Sequence, residues 1–460
     1  MTARSTSDWS GGARGLRAAR MSPLEHLRVR EQRSDRIMLT LFYGVLSTMF
    51  FEGVVRWGLG LAHLGSLIYL RDVVAVGSVG YLLLRPLLVY GWIERHIAIP
   101  SFLLILHFFV SIWMGCGLIA ALFELKVFVY VVYGCAMWEI FRRHYDEIKT
   151  MFAIIFVVST IALIVNFAVG NMPWEGQVYN TIFGSAESTK VWAAGTMQRL
   201  PGLTRDSTTA ATVMCVTGFT VMLDLRSLWL KILITVLGSV AIYATTTKTL
   251  ILVYPVICMW LFFGSEAFQF RAGKLVLVAF FVFCIVLPVL SGIFDFNTWS
   301  IYNNTPKLLS SFWDRLATAW PTIWDSFDNN LQYVLGEGLG SIGTAQLFSN
   351  DVIHWSVGDN LAIYLYVNFG LLGLAYLAFP GFKLLTQAAA SGEKSINIQL
   401  WMMGIVMLTY GYGMTSSIVE EQIFSVLIGV VLGGTLHRNR TTYLPHAKVL
   451  RPTLESAQTP

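Results

Sequence analysis

The sequence predicts an all-α polytopic membrane protein with about twelve transmembrane helices. Charged residues make up 13% of the 460 residues, about half the roughly 25% of a soluble domain, and hydrophobic residues make up 55%. Such a chain cannot cover a water-facing surface with polar groups, which excludes an ordinary soluble enzyme and a disordered chain. Apolar stretches of about 20 residues, the length that crosses a bilayer as a helix, recur along the sequence.

The predicted spans leave two tails and two long loops. Residues 1–36 contain no apolar core of a cleaved signal peptide, so we expect a basic cytoplasmic tail there. The membrane domain is expected to cover 37–437, with long loops at 171–202 and 293–357, and 438–460 to form a cytoplasmic C-terminal tail. The spans are predicted at 37–57, 64–84, 97–120, 123–141, 150–170, 203–223, 228–246, 248–264, 274–292, 358–380, 397–415 and 418–436.

The positions of lysine and arginine predict the orientation, because basic loops stay in the cytoplasm. With both termini in the cytoplasm, 23 of the 32 basic residues fall in cytoplasmic segments. The other nine lie outside or near the outer ends of spans: Arg56, Arg71, Lys126, Lys190, Arg199, Arg205, Lys248, Lys307 and Arg315. An intramembrane charge is a functional candidate by default, although Arg56 with Glu52, and Arg71 with Asp72, could equally form ion pairs inside the bundle.

Four of these cations suggest a site for an anionic ligand. Arg199 and Arg205 flank Pro201-Gly202, Lys248 stands in a threonine-rich turn between two spans, and Arg315 lies in the second long loop. Guanidinium groups bind phosphate oxygens in bidentate fashion. We therefore predict binding of a phosphate-bearing ligand. The modest net charge of +5 excludes a nucleic-acid binder of the basic-patch kind.

The second long loop is rich in aromatic residues. Phe312, Leu316, Ile323 and Phe327 recur at near-helical spacing around Pro321, which predicts two short amphipathic helices on the outer membrane face. Such an aromatic stripe is typical of a membrane anchor, and it also suits the faces of sugar rings.

The glycine run 338–343 matches GxGxxG but lacks the strand and βαβ setting of a dinucleotide site. We interpret it as a turn that returns the loop to the membrane, with phosphate binding by its backbone amides as the weaker alternative. The five cysteines fall inside apolar spans and are expected to be buried. No cofactor or metal site is predicted.

Several segments resemble the bacterial O-antigen ligase and polymerase superfamily. They are "SFWDRLATAW" at 311–320, "GEGLGSIG" at 336–343, "DNLAIYLYVNFGLLG" at 359–373 and "IYLRDVV" at 68–74. The order of cations around the sixth to eighth spans is also similar. The resemblance covers roughly 190–435, and the first five spans only by hydropathy.

The resemblance implies an inner-membrane glycosyltransferase with a helical fold like the C-type transferases. Such enzymes transfer a glycan from undecaprenyl diphosphate to an acceptor hydroxyl at the periplasmic face, with inversion and without a metal. It implies donor and acceptor glycans on that lipid, a chain-length regulator and a flippase as partners, and Arg199, Arg205, Lys248 and Arg315 as diphosphate-binding residues.

The sequence departs from the ligase branch at two positions. Ligases usually carry His-Asn where this chain has Asp359-Asn360, and an arginine where it has Lys248. Both departures favour a polysaccharide polymerase over an O-antigen ligase. The candidate bases are Asp359, then His354, then Glu337 or Asp206, with Glu420 and Glu421 as further carboxylates; Asp359 could instead cap a helix.

A third interpretation is a twelve-span secondary transporter. Transporters favour internal repeats and sites near the bilayer midplane. The two halves of this sequence show no convincing similarity, and its outer cations cluster at one face.

Overall fold

The computed structural model describes residues 23–181, 184–194, 197–262, 264–294, 296, 310–325, 327, 330–349 and 359–437. These residues are mostly helical, as the sequence predicts. Five helical segments are long and apolar enough to cross a membrane: Gly65–Leu88, Arg95–Trp113, Leu118–Arg143, Tyr145–Val169 and Glu266–Ile293. A sixth results if the first two helices, which meet at an angle of 88°, form one bent span.

The N-terminal half of the bundle begins with a helix that joins tail and membrane domain without interruption. Helix α1 starts at Pro23, so the expected boundary at residue 36 falls inside it. The elements here are α1 (Pro23–Phe50), α2 (Glu52–Leu61), α3 (Leu70–Tyr90), α4 (Arg95–Trp113), α5 (Leu118–Arg143) and α6 (Tyr145–Val169).

The loop after α6 contains short strands that the sequence analysis did not anticipate. Strands β1 (Val178–Thr181) and β2 (Gly184–Glu187) form one antiparallel hairpin, and β3 (Trp192–Ala194) and β4 (Met197–Arg199) form another. The described fold is therefore not purely α-helical. Strands of three or four residues are too short to show a period-two hydrophobic pattern, which explains the omission.

The C-terminal half continues with α7 (Ser207–Met222), α8 (Leu228–Ala244), α9 (Lys248–Trp260) and α10 (Glu266–Ile293). The second long loop holds α11 (Ser310–Asp314), a π-type turn (Arg315–Ala319), α12 (Trp320–Trp324) and α13 (Asn330–Leu335). The chain ends with α14 (Leu361–Phe369), α15 (Leu371–Thr386), α16 (Glu393–Gly413) and α17 (Gln422–Leu436).

The apolar stripe of the second loop is buried within the protein. Leu316, Trp320, Ile323 and Phe327 are each at most 7% exposed, and the Trp324 Nε1–H donates to the Pro288 carbonyl of α10 at 3.1 Å. The expectation that these side chains form a surface anchor was wrong. Their helical spacing was identified correctly, but the helix α10, not the lipid, covers the stripe.

The predicted span at 358–380 is interrupted. Helix α14 ends at Phe369, and Gly370 adopts a φ of +60° before α15 begins. Two carbonyl groups at the break accept hydrogen bonds from other segments. The Glu337 amide donates to Val367 O at 2.7 Å, and the His107 ring donates to Asn368 O at 2.5 Å. The second long loop and α4 thus satisfy backbone groups that a continuous helix would pair internally.

The contacts between helix ends fall at two opposite ends of the bundle. At one, which we term the loop end, the described residues of 170–206 meet residues 245–247, 330–349, 359 and 414–421; for example, the Thr344 amide donates to Glu420 at 2.8 Å. At the other, the tail end, Lys394 pairs with Asp146 at 3.0 Å and His437 with Glu139 at 3.0 Å. Successive long helices therefore run in alternating directions.

Helices α5 and α17 approach so closely that only glycine fits between them. A Cβ atom on Gly134 would lie 2.0 Å from the Val426 carbonyl oxygen, and one on Gly429 would lie 2.0 Å from the Val131 carbonyl oxygen. Small residues at helix contacts allow backbones to pack in this manner. This contact fixes α17, and with it the connection that precedes α17.

Gly134→Val is expected to destabilise the fold by more than about 2 kcal/mol, because overpacking a tight contact forces the backbones apart. The measurement is the Tm of detergent-purified protein. Gly77→Val on α3 is the matched control, since nothing lies within 4 Å of a Cβ atom at Gly77. Equal Tm losses in the two variants would contradict the close approach of α5 and α17.

Candidate functional site

The connection between α16 and α17, residues 414–421, brings together most of the predicted site residues. The Asn360 side chain donates to its Met414 carbonyl at 3.1 Å, and the hydroxyls of Thr249 and Thr415 lie 2.5 Å apart. Lys248 precedes Thr249 at the first position of α9. The connection therefore lies between the start of α14, beside Asp359, and the start of α9, beside Lys248.

Asp359 and Arg315, predicted as base and phosphate ligand, form an ion pair with each other. The Arg315 Nη2 and Nε lie 2.9 and 3.1 Å from Asp359 Oδ2. The Asp359 side chain is 47% exposed and that of Arg315 is 23% exposed. The carboxylate is therefore accessible from outside the bundle, and the guanidinium holds it in place.

Asn360, not Asp359, caps α14. Its Oδ1 accepts a hydrogen bond from the Ile363 amide at 3.1 Å, while its Nδ2 donates to Cys284 O and Met414 O. The alternative role of Asp359 as a helix cap was wrong by one residue. Asn360 is fully buried and links α10, α14 and the 414–421 connection.

Asp206 is used as a helix cap. Its Oδ1 accepts from the Thr209 amide at 2.8 Å and from the Thr208 hydroxyl at 2.8 Å, which closes the first turn of α7. Capping carboxylates of this kind satisfy amides that the helix leaves unpaired. Asp206 is therefore a weaker candidate for the base than the sequence suggests.

Two cationic residues, Lys190 and Arg205, are joined through their backbones at the loop end. The Lys190 amide donates to the Arg205 carbonyl at 2.9 Å. Burial lowers the pKa of the Lys190 ammonium, and the charge of Arg205 lowers it further, against the attraction of Asp206 and Glu420. Lys190 is thus within electrostatic range of both Arg205 and Glu420 of the 414–421 connection.

Among the residues that the structure describes, neither Arg199 nor Arg205 forms an ion pair, and the Nε atom of each is buried without a hydrogen-bond partner. Arg199 ends β4 and is separated from Arg205 by the turn 200–204. That turn is fixed by the Gly202 amide, which donates to Asn166 Oδ1 at 3.1 Å, and by Trp174, which donates to Gly202 O at 2.8 Å.

Three further outer cations, Arg56, Arg71 and Lys126, form ion pairs inside the protein, and Lys307 lies outside the described residues. Glu52 accepts from Arg56 at 2.6 Å and from Arg71 at 2.7 Å, and all three residues are at most 7% exposed. Lys126 pairs with Asp72 at 2.7 Å. The ion-pair interpretation of Arg56 is confirmed, but the main partner of Arg71 is Glu52 rather than Asp72, whose Oδ1 lies 3.6 Å away.

Glu421 is a buried carboxyl beside this cationic region. Burial, and after it the charge of the neighbouring Asp206, raise its pKa to about 8, against the lowering effect of hydrogen bonds from Thr212, Tyr412 and Thr208. Tyr412 Oη donates to Glu421 Oε1 at 3.3 Å. Glu421 therefore binds its proton at neutral pH.

Sequence reasoning missed Glu124 of α5. It is fully buried, and the hydroxyl of Tyr364 donates to it. The carboxyl also lies within electrostatic range of Glu420. A single acidic residue near the end of an apolar span offers no partner within its own sequence neighbourhood, and only the fold brings Tyr364 to it.

The glycine run 338–343 packs against α4 and α5. Two of its amides already have acceptors: Leu339 N–H donates to Ser111 Oγ at 2.6 Å and Gly340 N–H to Asn368 Oδ1 at 3.2 Å. Gly338 and Gly340 have φ of +102° and +90°, and a Cβ atom at Gly340 would lie 2.6 Å from the Ala120 backbone. The turn interpretation agrees with this geometry, and these two amides are not available to a phosphate group.

The candidate base Glu337 stands apart from this arrangement. Glu337 is 6% exposed, and its carbonyl accepts a hydrogen bond from the Cys116 thiol at 3.0 Å, at the α4–α5 connection. His354 lies outside the described residues.

Comparison of the chain with protein-family models, curated proteins and solved structures gave no match.

Glu421→Gln is expected to flatten the pH dependence of stability. The wild-type carboxyl retains its proton in the fold up to a pKa of about 8, against 4.5 when exposed. As pH rises through that window, only the unfolded chain loses the proton, so wild-type stability falls. The Tm of Glu421→Gln minus that of the wild type should therefore increase as the pH is raised from 4.5 to about 8.

The control for this series is Glu187→Gln, which removes an exposed carboxyl of β2 at the same end of the bundle. Its Tm should follow that of the wild type at every pH. A Glu421→Gln curve that is parallel to the wild-type curve would contradict the assignment of a raised pKa to Glu421.

Proposed function

We propose that the protein is an inner-membrane polysaccharide polymerase that joins oligosaccharide repeat units carried on undecaprenyl diphosphate. The loop end would face the periplasm and the tail end the cytoplasm. The proposal rests on the cations of the loop end together with the resemblance of residues 190–435 to the O-antigen ligase and polymerase superfamily.

The proposal includes twelve spans. Beside the five long apolar helices and the bent pair α1–α2, the described chain has shorter apolar helices α7, α8, α9, α15 and α17. Helix α16 is buried along most of its length. Because other helices surround it, it need not be as apolar as a helix that faces lipid. With these, the chain crosses the membrane twelve times and returns both ends of 37–437 to the tail end.

The distribution of charge supports this orientation. Arg142, Arg143, Lys149 and Lys394 lie at the tail end, where each pairs with an acidic residue: Arg142 within α5, and the other three with residues of other segments. Basic residues of short loops remain on the cytoplasmic side of a membrane protein. The tail end is therefore assigned to the cytoplasm.

The observation that carries the proposal is the pair of arginines without carboxylate partners. Arg56, Arg71, Lys126 and Arg315 are each matched by an acidic residue, whereas Arg199 and Arg205 are not matched within the described chain. An unneutralised guanidinium in a partly buried position is costly unless an anion binds to it. A lipid diphosphate is an anion that reaches this position from the bilayer.

The chemistry requires the protein to stabilise the charge that develops on the diphosphate as the glycosidic bond breaks. Arg199, Arg205 and Lys248 would supply fixed positive charge in a site of low dielectric, where such groups act most strongly. Arg315 then acts chiefly on Asp359, because its guanidinium is already engaged with that carboxylate.

Asp359 is the best candidate to orient and deprotonate the acceptor hydroxyl. Its side chain is about half exposed, whereas Glu337 is buried and Asp206 caps α7. The acceptor sugar would then approach from outside the bundle, and the lipid donor from the side.

Arg205→Gln is expected to lower polymer formation by about 10²–10³-fold, the usual effect of removing one donor to a developing anion. Purified protein is incubated with lipid-linked repeat units in the presence of EDTA, and product lengths are measured. Arg226→Gln is the control, because Arg226 is an exposed residue at the tail end with a side chain that is 94% exposed.

Full activity in Arg205→Gln and Arg199→Gln would overturn the cation site. Transfer of the glycan to lipid A core, with no polymer formed, would identify an O-antigen ligase instead. Movement of a solute without glycosyl transfer would identify a transporter.

Asp359→Asn is expected to abolish polymerisation while leaving the Tm close to that of wild type, because the cap of α14 belongs to Asn360. Asn360→Ala provides the contrast: it should lower stability by about 1 kcal/mol or more through loss of the cap. If Asp359→Asn retains wild-type activity, the carboxylate has no part in the reaction.

A further inference from the structure

A cavity of about 290 Å³ lies within the bundle, and it extends from near the start of α14 towards the tail end. It is bounded by α4, α5, α14, α15, α16 and α17, and its walls are almost entirely apolar, as Leu104, Phe128, Leu365 and Ile428 illustrate. Ile99 on α4 and Leu372 on α15 line it and remain 42% and 38% exposed, so it opens sideways between these helices.

The cavity has few polar groups that could hydrogen-bond to water. Two of its polar side chains donate within the protein, the Tyr410 hydroxyl to Leu377 O at 2.6 Å and the Thr409 hydroxyl to Ile405 O at 2.8 Å. Apolar cavities without available polar partners stay dry or take up hydrocarbon. In a membrane protein, the hydrocarbon at hand is a lipid chain.

The two ends of the cavity differ in charge. At the loop end its lining includes Leu361 and Val419, which adjoin the acidic residues Asp359 and Glu420. At the tail end it includes Ile99 and Phe379, and a basic residue lies one helical turn beyond each: Arg95 before Ile99 and Lys383 after Phe379.

Both basic residues are placed to receive an anion. The Lys383 ammonium lies over the Phe379 ring, 5.7 Å from its centroid, at the edge of the cavity. Arg95 is exposed and forms no ion pair with any described residue. The acidic residues of this region are engaged elsewhere: Glu94 lies 3.7 Å from His96, and Glu139 lies 3.0 Å from His437 and 2.9 Å from Arg142.

We propose that the cavity is a binding site for an anionic phospholipid, with one acyl chain between α4 and α15 and the phosphate group at Arg95 and Lys383. Basic pockets between transmembrane helices on the cytoplasmic side bind anionic headgroups. The acidic residues at the loop end disfavour a lipid that enters with its phosphate at that end. The site is independent of the proposed glycosyl transfer, because it uses none of the residues assigned to that reaction.

The test uses the purified full chain in detergent, titrated with dioleoyl phosphatidylglycerol or dioleoyl phosphatidylcholine, with Tm and lipid retention in native mass spectrometry as readouts. Phosphatidylglycerol should raise the Tm and be retained, and phosphatidylcholine should do so much less. Arg95→Gln with Lys383→Gln should weaken phosphatidylglycerol binding roughly thirtyfold, because each basic residue near a headgroup contributes about fivefold.

The matched control is Arg226→Gln with Arg271→Gln, which removes the same charge from exposed tail-end positions away from the cavity and should leave binding unchanged. Ala375→Phe places a ring in the cavity and should abolish retention of both lipids. If that variant does not fold, short-chain phosphatidylglycerol on wild-type protein serves instead, and should bind more weakly than the dioleoyl form.

Equal stabilisation by the two headgroups, or an equal loss in the control double variant, would overturn the proposal. It would also be overturned if undecaprenyl phosphate displaced phosphatidylglycerol and depended on Lys248 and not on Lys383, since the cavity would then hold the donor lipid. Unchanged phosphatidylglycerol binding in Arg205→Gln would confirm that the two sites are separate.

Discussion

The packing of the loop end depends on a group of buried charged side chains that pair with one another. Glu52 lies between Arg56 and Arg71, all nearly inaccessible to solvent, at the point where α1 ends and α2 turns away by 88°. Removing one member of such a group leaves an uncompensated charge, which is strongly destabilising. Next to this group, α2 lies against the 203–206 segment, where the Gly53 amide donates to Leu203 O at 3.1 Å. The segment that carries Arg205 is therefore tied to α2 by its backbone.

Against that background, Arg199 and Arg205 differ from their neighbours, because neither forms an ion pair with a carboxylate in the described part of the chain. Arg205 lies within electrostatic range of Glu52, but Glu52 is already shared by two other arginines. On the other side of the 414–421 connection, Arg315 and Asp359 pair with each other. In the proposed site, the two arginines would attract the anion, and Asp359 presents an accessible carboxylate.

The sequence predicted the mostly helical, apolar character of the chain, because a hydrophobic stretch needs no tertiary information to be identified; of the twelve predicted spans, five helices, or six with the bent pair, are long and apolar enough to cross a membrane. It also placed Arg205, Lys248, Asp359 and Arg315 at one end of the bundle. It could not predict which carboxylate each cation would meet, since Glu52 and Arg71 are 19 residues apart and Arg315 and Asp359 are 44 apart. Adjacent capping residues were equally ambiguous: Asp359 and Asn360 are both good caps, and only the backbone geometry selects Asn360. The interrupted α14–α15 helix was missed because Gly370 is followed by leucines that continue the apolar pattern.

The interruption at Gly370 makes α14 dependent on the outer loop that precedes it. The carbonyl of Val367 is satisfied by the amide of Glu337, so a peptide group deep in one helix depends on a segment about thirty residues upstream. A shortened or exchanged outer loop would leave that oxygen without a donor in an apolar setting, at a cost of several kcal/mol. Chimaeras that graft this loop from a related protein should therefore carry α14 with it. The grafted unit that preserves the pairing runs from residue 330 to the start of α15.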